Sequence, residues 1–308
     1  MSPSRTSTWL APMILCVLVA CAANGEPHLS ASYYDTTCPS AQHIVQSVMA
    51  SKVAADQTIA PAVLRLFFHD CFINGCDGSV LLDKTPSIDS EKDAEPNDSL
   101  RGFDVIEEIK SHLEHSCPAT VSCADILTLL GRKDSRGADK DAAENGLPSP
   151  HANLTDLIGR FAEHGLDAKD MVALSGAHTV GTARCLHYKD RVDGGESGAD
   201  IDPAFAKIRR EMCQAGGDDV MAPFDEQTPM RFDNAYYKDL VARRGLLTSD
   251  QELYGCGGPL DNLVEMYSND GEAFARDFAK AMVKMGNIPP PPGMPVEVRL
   301  KCTMLNTY

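Results

Sequence analysis

Apolar residues recur at intervals of three and four along most of this chain, which is the spacing of helices that pack one face against a core. The pattern predicts helices over residues 103–113, 123–130, 154–161, 237–241 and 274–285. We expect four of them to end at Cys117–Pro118, Gly165, Gly245 and Gly286. Ser122, three residues before Asp125, resembles a capping box that opens the second helix.

Strict alternation of apolar and polar residues, the pattern of half-buried strands, is nearly absent. The predicted fold class is therefore mainly α, with little β structure. Gly, Asp and Ser are concentrated in residues 134–150 and 191–202, so we predict loops there. Four consecutive prolines at residues 289–292 should form a stiff stretch before the tail that carries Cys302.

The first residues have the layout of a secretory signal peptide. Arg5 supplies a positive charge, an apolar run covers residues 9–23, and small residues then precede polar sequence. The run is short for a membrane span, although an uncleaved anchor is an alternative. We therefore predict a signal peptide over residues 1–25 and one domain over residues 26–308, whose length is also compatible with two subdomains around one site.

The amino-acid composition disfavours some classes of binding partner and indicates disulfide bonds. The chain has 28 Lys and Arg against 44 Asp and Glu, a formal net charge of −16, which disfavours nucleic acid and anionic membranes as partners. Solubility is the simpler explanation of this charge. Two of the 11 cysteines, Cys16 and Cys21, fall in the signal segment. On an oxidising secretory route the others should pair as disulfides, and their odd number leaves one thiol unpaired.

Arg65 and His69 lie four residues apart in the segment LRLFFHDCF, so on a helix both side chains project from one face. A cation and a titratable base would then share one pocket, although a histidine on an apolar helix is more often an ordinary core residue. A zinc site formed by His69, Cys71 and Cys76 is less favoured, because secreted cysteines tend to form disulfides.

Hard oxygen donors follow in a loop kinked by glycines, namely Asp70, Gly75, Asp77 and Ser79. Backbone carbonyls in such a loop could complete the oxygen shell of calcium, and a solvated acidic turn is the alternative. A second candidate is His178, which follows Gly176 and Ala177, small residues that would let a flat ligand approach the helix end. Asp250 is the kind of carboxylate that a metal-bound histidine needs as a partner.

Seven blocks, in order, give the chain a family resemblance: LRLFFHDCFINGCDGSVLL, EKDAEPNDSLRGFDVIEEIK, CPATVSCADIL, MVALSGAHTVGTARC, FDNAYYKDL, GLLTSDQEL and FAKAMVKMGNI. Over nearly its whole mature length the chain resembles a class III plant secretory haem peroxidase. The resemblance implies two helical subdomains that sandwich one haem b. It also implies a monomeric, extracellular enzyme of the cell wall space that reduces hydrogen peroxide to water and oxidises small phenolic donors by one-electron steps.

The same resemblance implies roles for individual residues. His69 would be the acid–base catalyst and Arg65 would stabilise the charge that develops on the peroxide. Asn97 would accept a hydrogen bond from His69, and Phe68 would shield the haem from bulky reductants. His178 would bind the haem iron from the opposite side, with Asp250 as its carboxylate partner. Donors would approach the haem edge near Pro148.

Two calcium ions are implied as well. The first would be bound by Asp70, Asp77, Ser79 and the carbonyls of Ile73 and Gly75, with Glu91 reaching it through water. The second would be bound by Thr179, Asp225, Thr228, Asp233 and the carbonyl of Arg231. The implied disulfides join Cys38 to Cys117, Cys71 to Cys76, Cys123 to Cys302 and Cys185 to Cys213, which leaves Cys256 as the odd thiol.

The chain departs from the family after Leu130, where about 15–20 residues of the usual segment are missing, more than an ordinary loop contains. A secreted calcium-binding scaffold of the same fold, without haem or turnover, is therefore the alternative function. The residues after Pro148 are not aromatic, which weakens the expectation of aromatic-donor binding there. Two sequons occur, at Asn97 and Asn153, and because Asn97 is expected in the pocket only Asn153 is a credible glycosylation site.

Overall fold

The protein is described by a computed structural model that covers residues 29–30, 32–194, 200–255 and 257–307. The predicted signal peptide and the odd thiol Cys256 lie outside the described residues. In the described part, helices dominate and four strands of two or three residues form two small antiparallel pairs. No helix in this part is long and apolar enough to cross a membrane. The predicted mainly α fold class is confirmed.

The first group of helices comprises α1 (Ala41–Ala55), α2 (Ile59–Phe72), α3 (Phe103–Ser116) and α4 (Cys123–Thr128). The middle of the chain contributes α5 (Lys140–Gly146), α6 (Leu154–Glu163), α7 (Ala168–Ser175), α8 (Lys189–Val192) and α9 (Pro203–Gly216). The last helices are α10 (Ala235–Val241), α11 (Thr248–Gln251), α12 (Asp261–Asn269) and α13 (Gly271–Gly286). The strands are β1 (Asp134–Ser135), β2 (Thr182–Arg184), β3 (Met221–Pro223) and β4 (Val296–Glu297), with β1 paired to β4 and β2 to β3.

Helix α2 lies between two hydrophobic cores. Leu66 belongs to a cluster with residues of α1, α3 and α4, whereas Phe67 and Phe72 belong to a larger cluster built by α6, α7, α10, α12 and α13. A helix that contacts a core on two sides must be apolar around most of its circumference, which explains the segment IAPAVLRLFF. Among the polar side chains of α2, His69 and Asp70 are buried.

In the described part of the chain, four disulfides tie the fold together, and they have the pairing that the resemblance implied: Cys38–Cys117, Cys71–Cys76, Cys123–Cys302 and Cys185–Cys213. The Cys123–Cys302 bond joins α4 to the C-terminal tail across 179 residues of sequence. Because Cys71 and Cys76 are bonded to each other, neither can be a zinc thiolate, and the zinc hypothesis for His69 is wrong.

Four local predictions need correction. Residues 134–150 contain β1 and α5 as well as loop, because the Asp139 side chain caps α5 by accepting a hydrogen bond from Ala142 N at 2.9 Å. The predicted loop over 191–202 begins inside α8, and residues 195–199 lie outside the described part. Helix α10 ends at Val241, with Ala242 as its C-cap, rather than at Gly245, because Arg243 adopts a left-handed conformation with φ of 57°.

The fourth correction concerns α4 and the shortened segment that follows it. Ser122 accepts a hydrogen bond from Asp125 N at 3.0 Å, but Asp125 turns its carboxylate toward the other end of the helix. Its Oδ1 accepts from the backbone N–H groups of Leu130, Gly131 and Arg132 at 3.1, 3.0 and 2.8 Å. Tyr34 Oη donates to Oδ2 of the same carboxylate. The buried Asp125 carboxylate therefore stabilises the short connection after α4 by accepting hydrogen bonds from the backbone N–H groups of the turn.

Candidate functional site

Helix α2 brings Arg65 and His69 together, the two residues that were predicted to act on peroxide. Arg65 Nε donates to His69 Nε2 at 3.1 Å, and the remaining guanidinium nitrogens donate to Ser99 Oγ at 3.0 Å and to Pro96 O at 2.8 Å. His69 is buried, and its Nδ1 lies 2.6 Å from Asn97 Oδ1. The four-residue spacing on one helix face therefore brings the cation and the base into direct contact, as the sequence predicted.

The partners of Asn97 determine which nitrogen of His69 carries the proton. Asn97 Nδ2 donates to Glu91 O at 2.8 Å, so its Oδ1 must face His69 and accept from Nδ1–H. That tautomer leaves Nε2 with its lone pair as the base. Burial and the nearby Arg65 guanidinium lower the pKa of His69 to about 3, although the hydrogen bond to Asn97 opposes the shift. The imidazole is therefore neutral over the physiological pH range.

Phe68, the residue before His69 on α2, belongs to a cluster of aromatic side chains. Its ring centroid lies 4.8 Å from that of Phe72 and 6.4 Å from that of Phe161 on α6, and 5.9 Å from that of His69. These contacts restrict the Phe68 ring beside the His69 imidazole. Pro148 lies half-buried just after α5, and the carbonyl of Pro150 accepts from Ser249 N at 3.0 Å, which ties this loop to α11.

The second histidine lies on a short turn that follows α7. His178 Nδ1 is 2.7 Å from Asp250 Oδ1, and Asp250 is itself buried on α11. Tyr236 Oη donates to Asp250 Oδ1 at 3.0 Å and Leu247 N donates to Oδ2 at 2.9 Å, so the carboxylate cannot rotate away. With Nδ1 occupied, Nε2 remains for a ligand such as a haem iron.

Two partners of His178 were not predicted from the sequence. The ring of Phe224 stacks on the imidazole at a centroid distance of 4.0 Å and an interplanar angle of 1°, and Tyr236 meets it edge-on at 6.1 Å. The stacked ring fixes the imidazole plane. The only sequence feature that could have suggested the stacking of Phe224 on His178 is its position beside Asp225, and using that feature requires knowledge of the fold.

Gly176 has a packing role that the sequence did not predict. A Cβ atom at this position would lie 2.3 Å from Tyr237 Oη and 2.5 Å from Phe274 Cε2. The glycine is therefore required because α10 and α13 pack against the turn.

The loop after α2 fits the first calcium ion. Among the described residues, four buried oxygen atoms in this loop and its neighbour have no hydrogen-bond partner: Asp70 Oδ1, Asp77 Oδ2, Ser79 Oγ and Glu91 Oε2. Buried oxygens without partners are costly, and calcium binds such hard oxygens. Gly78 N donates to the other oxygen of Asp70 and Ser79 N to that of Asp77, so the unpartnered oxygens have fixed positions. Among the described residues, however, no group of three or more Asp, Glu, His or Cys side chains alone would hold a metal ion, so carbonyls would have to complete the shell.

The electrostatics of these carboxylates favour binding of a cation. Burial, together with the Asp77 carboxylate, raises the pKa of Asp70 well above its ordinary value. Burial also raises the pKa of Asp77 to about 6 and that of Glu91 to about 7. Several buried carboxylates close together are unstable as anions without a cation among them.

The residues predicted for the second calcium ion also lie together. Thr179 Oγ1 donates to Asp225 Oδ2 at 3.1 Å, and Thr228 Oγ1 contacts the carboxylates of both Asp225 and Asp233. Arg231 is next but one to Asp233, and its N–H donates to Thr228 O at 2.9 Å. This cluster of hydroxyl and carboxylate oxygens has the chemistry of a calcium site. Thr179 connects it directly to His178.

Comparison with known proteins finds similarity to peroxidases along most of the chain. A family model described as peroxidase matches residues 45–132 and 128–270. The lignin-forming anionic peroxidase of Nicotiana sylvestris is 44% identical over 324 residues, with 99% of each chain covered. Peroxidase 4 of Vitis vinifera is 44% identical, with 95% of this chain and 96% of the relative covered. Peroxidase P7 of Brassica rapa is also 44% identical, with 90% of this chain and 100% of the relative covered.

The comparisons also bear on the short segment after α4. The family match is divided in two near Leu130, and the Nicotiana alignment extends over 324 positions although this chain has 308 residues. The relative therefore contains residues without a counterpart here. None of the site residues described above lies at that junction.

Proposed function

The chain belongs to the plant class III haem peroxidases of the peroxidase family, and on this premise we propose that His69 and Arg65 activate hydrogen peroxide while His178 binds the haem iron. That the protein is a peroxidase follows from the family and from its relatives, which are named as peroxidases. The observation that supports these residue roles is that Nδ1 of each histidine is hydrogen-bonded to a side-chain oxygen held in place by other contacts. This leaves Nε2 of His69 to act as the base and Nε2 of His178 to bind the iron.

In this mechanism, bound haem supplies the redox chemistry that cleaves the peroxide O–O bond and accepts single electrons from donors. His69 Nε2 takes a proton from one peroxide oxygen and delivers it to the other, so that water leaves. Because the low pKa keeps the imidazole neutral, the base is available at physiological pH. Arg65, which already reaches Nε2, would stabilise the negative charge on the departing oxygen.

On the opposite side, Asp250 would make the His178 imidazole electron-rich through the hydrogen bond at Nδ1. Tyr236 and Leu247 N hold that carboxylate in place, and Phe224 holds the ring plane. Phe68 would limit the approach of large reductants, and small phenolic donors would enter near Pro148. These donor roles rest on the family resemblance.

We further propose that two calcium ions support this arrangement. The first would take Asp70, Asp77, Ser79 and the carbonyls of Ile73 and Gly75, with Glu91 reaching it through water. The second would take Thr179, Asp225, Thr228, Asp233 and the carbonyl of Arg231. Asp70 directly follows His69 and Thr179 directly follows His178, so each ion would fix the backbone beside one histidine. Secretion to the cell wall space and a monomeric state complete the proposal.

The scaffold hypothesis, in which haem and turnover are lost, is not favoured. Its motivation was the short segment after Leu130, but the complete set of site residues is present and hydrogen-bonded. The relatives that cover nearly the whole chain are named as peroxidases.

The residue roles are tested on purified protein loaded with haem and calcium. Peroxide-dependent oxidation of a phenolic dye should fall by about 10²–10⁴-fold in His69→Ala, which removes the general base. His43→Ala, an exposed histidine on α1, is the matched control and should keep wild-type turnover. A haem absorption band that survives in His69→Ala would show that only chemistry was lost. Full turnover in His69→Ala would refute the assignment.

A further inference from the structure

Three buried tyrosines form a row of neighbouring rings that begins at the imidazole of His178. The Tyr236 ring meets that imidazole edge-on, with 6.1 Å between ring centroids. The centroids of Tyr236 and Tyr237 are 5.1 Å apart, and those of Tyr237 and Tyr267 are also 5.1 Å apart. This tyrosine row leads from the proposed iron ligand through α10 to Tyr267 on α12.

Tyrosine is the side chain in the described part of the chain that gives up a single electron most easily. The one tryptophan, Trp9, lies in the predicted signal peptide. The cysteines that the structure describes are paired in disulfides, so they offer no thiol. An electron drawn from the protein through His178 would therefore come from the tyrosine row.

Tyr267 has a base beside its hydroxyl group, whereas Tyr237 has none. Tyr267 Oη donates to Asp277 Oδ2 at 3.1 Å. Tyr237 Oη instead donates to the backbone carbonyl of Val172 at 2.9 Å. A phenol that has lost an electron is a strong acid, and it persists only when a base takes its proton. A carboxylate can take this proton and a peptide carbonyl cannot, so the electron deficit should pass through Tyr237 and come to rest on Tyr267.

Two other resting places are less favourable. Tyr236 also lies beside a carboxylate, but the same oxygen of Asp250 is already hydrogen-bonded to His178, and a further proton there would cost that bond. A branch of rings through Phe274 reaches the exposed Phe232. Phenyl rings are much harder to oxidise than phenols, so the electron deficit does not follow this branch.

The carboxylate beside Tyr267 is suited to returning the proton. Asp277 Oδ2 lies 2.8 Å from Nζ of Lys169, whose side chain is exposed. Lys169 holds the pKa of Asp277 below its usual value, so the carboxyl group binds a proton only loosely. An oxidised phenol is a much stronger acid than any carboxyl group and still gives up its proton to Asp277.

We propose that Tyr236, Tyr237 and Tyr267 form a one-electron relay that carries oxidising equivalents out of the haem pocket when no small donor is present. The relay rests on the proposed function, because hydrogen peroxide is the oxidant and His178 links the row to the iron. Tyr267 loses one electron through the other two rings to the oxidised haem, its O–H bond breaks, and the proton moves to Asp277 Oδ2. One electron from a phenolic donor later reduces the neutral tyrosyl radical, and the proton returns. The relay protects the pocket, because oxidising equivalents that remain there damage the side chains around the haem.

The test treats the haem- and calcium-loaded protein with a small excess of hydrogen peroxide and no donor. It compares wild type with Tyr267→Phe, Tyr237→Phe and the matched control Tyr33→Phe, which changes an exposed tyrosine outside the row. Electron paramagnetic resonance of frozen samples detects the radical, and ring-deuterated tyrosine identifies it by narrowing of the signal. Mass spectrometry measures oxidation of His178, and dye oxidation is measured before and after the treatment.

We expect a tyrosyl signal in wild type and in Tyr33→Phe, and loss of that signal in Tyr267→Phe and Tyr237→Phe. Before treatment all four proteins should oxidise the dye equally. After treatment the two row variants should retain less activity and show more oxidised His178 than wild type.

Wild type that oxidises the dye without a tyrosyl signal would overturn the relay and leave the enzymatic function standing. An undiminished signal in Tyr267→Phe would overturn its end point, and equal peroxide damage in all four proteins would overturn the protective role. A tyrosyl signal in wild type without dye oxidation would support the relay and count against the proposed function, whereas loss of both would overturn both.

Discussion

Calcium removal should make the protein less stable at high pH than at low pH relative to the calcium-bound form, because the end of α2 and the loops after it contain buried carboxylates that need a cation to remain charged. In the calcium-free protein, burial raises the pKa of Glu91 from 4.5 to about 7 and that of Asp77 from 3.8 to about 6. The folded calcium-free state therefore holds these protons more tightly than the unfolded chain does. The stability that these two groups contribute is fully present below their unfolded pKa values and is lost as the pH rises through the folded pKa values.

The magnitude follows from the pKa of Glu91 alone. Between about pH 5 and pH 8, a pKa of about 7 in the folded state against 4.5 in the unfolded chain corresponds to a loss of about 2–3 kcal/mol. Asp77 adds a smaller loss in the same direction, since its folded pKa lies lower. With calcium bound the sign reverses, because calcium needs ionised carboxylates and binds more tightly as the pH rises.

The assay measures the free energy of unfolding from urea titrations at several pH values, with excess calcium and after exhaustive removal of calcium. The difference between the two curves should widen with pH. In Glu91→Gln the calcium-free curve should lose about 2–3 kcal/mol of its pH dependence. The exposed Glu163→Gln on α6 is the matched control and should leave both curves unchanged. Parallel curves with and without calcium would refute the assignment of these oxygens to a calcium site.

Three further predictions concern residues with defined partners. Asp125→Ala should lower the free energy of unfolding by about 3–5 kcal/mol, because it removes a buried carboxylate with several hydrogen bonds. The control Asp104→Ala, in the first turn of α3, should lower it by less than about 1 kcal/mol, and urea unfolding measures both. Asn97→Val should reduce turnover at least about tenfold and retain haem, seen by comparing dye oxidation with the haem absorption band, because His69 loses the acceptor that fixes its tautomer. Asp250→Asn should change the haem spectrum and slow turnover, since Nδ1 of His178 loses its carboxylate partner, and an unchanged spectrum would contradict that role.

Much of the fold was predictable from local patterns. The helices with apolar residues at regular intervals, such as α3, α6 and α13, begin and end close to the predicted residues, because burial of one face is encoded in the spacing. Short elements were missed. Helix α5 has only one buried residue, Ala143, and depends on the Asp139 cap, so no hydrophobic period marks it. The end of α10 was misplaced because a non-glycine residue, Arg243, adopts the left-handed conformation.

The site was predictable only in part. Spacing on one helix brings Arg65 and His69 together, so the residues alone indicated a shared pocket. The partnership of His178 with Asp250 spans 72 residues of sequence and needs the turn after α7 to pack against α10 and α11, which only the resemblance supplied beforehand. Phe224 has no local signal for its role, because its stacking depends on where β3 places the residues that follow it.

The short connection after α4 is compatible with an active pocket because the residues that orient the site come from other parts of the chain. His69 is oriented by residues 65–97, and His178 by residues 224–250. The turn at residues 129–132 is satisfied by Asp125, and Arg132 then donates to Gly286 O at 2.7 Å, which anchors the turn to the end of α13. A chain that lacked these contacts would leave buried N–H groups unpaired beside α2. Asp125 thus explains how the family's fold closes without the missing segment, and its removal should affect stability more than the intrinsic chemistry of the pocket.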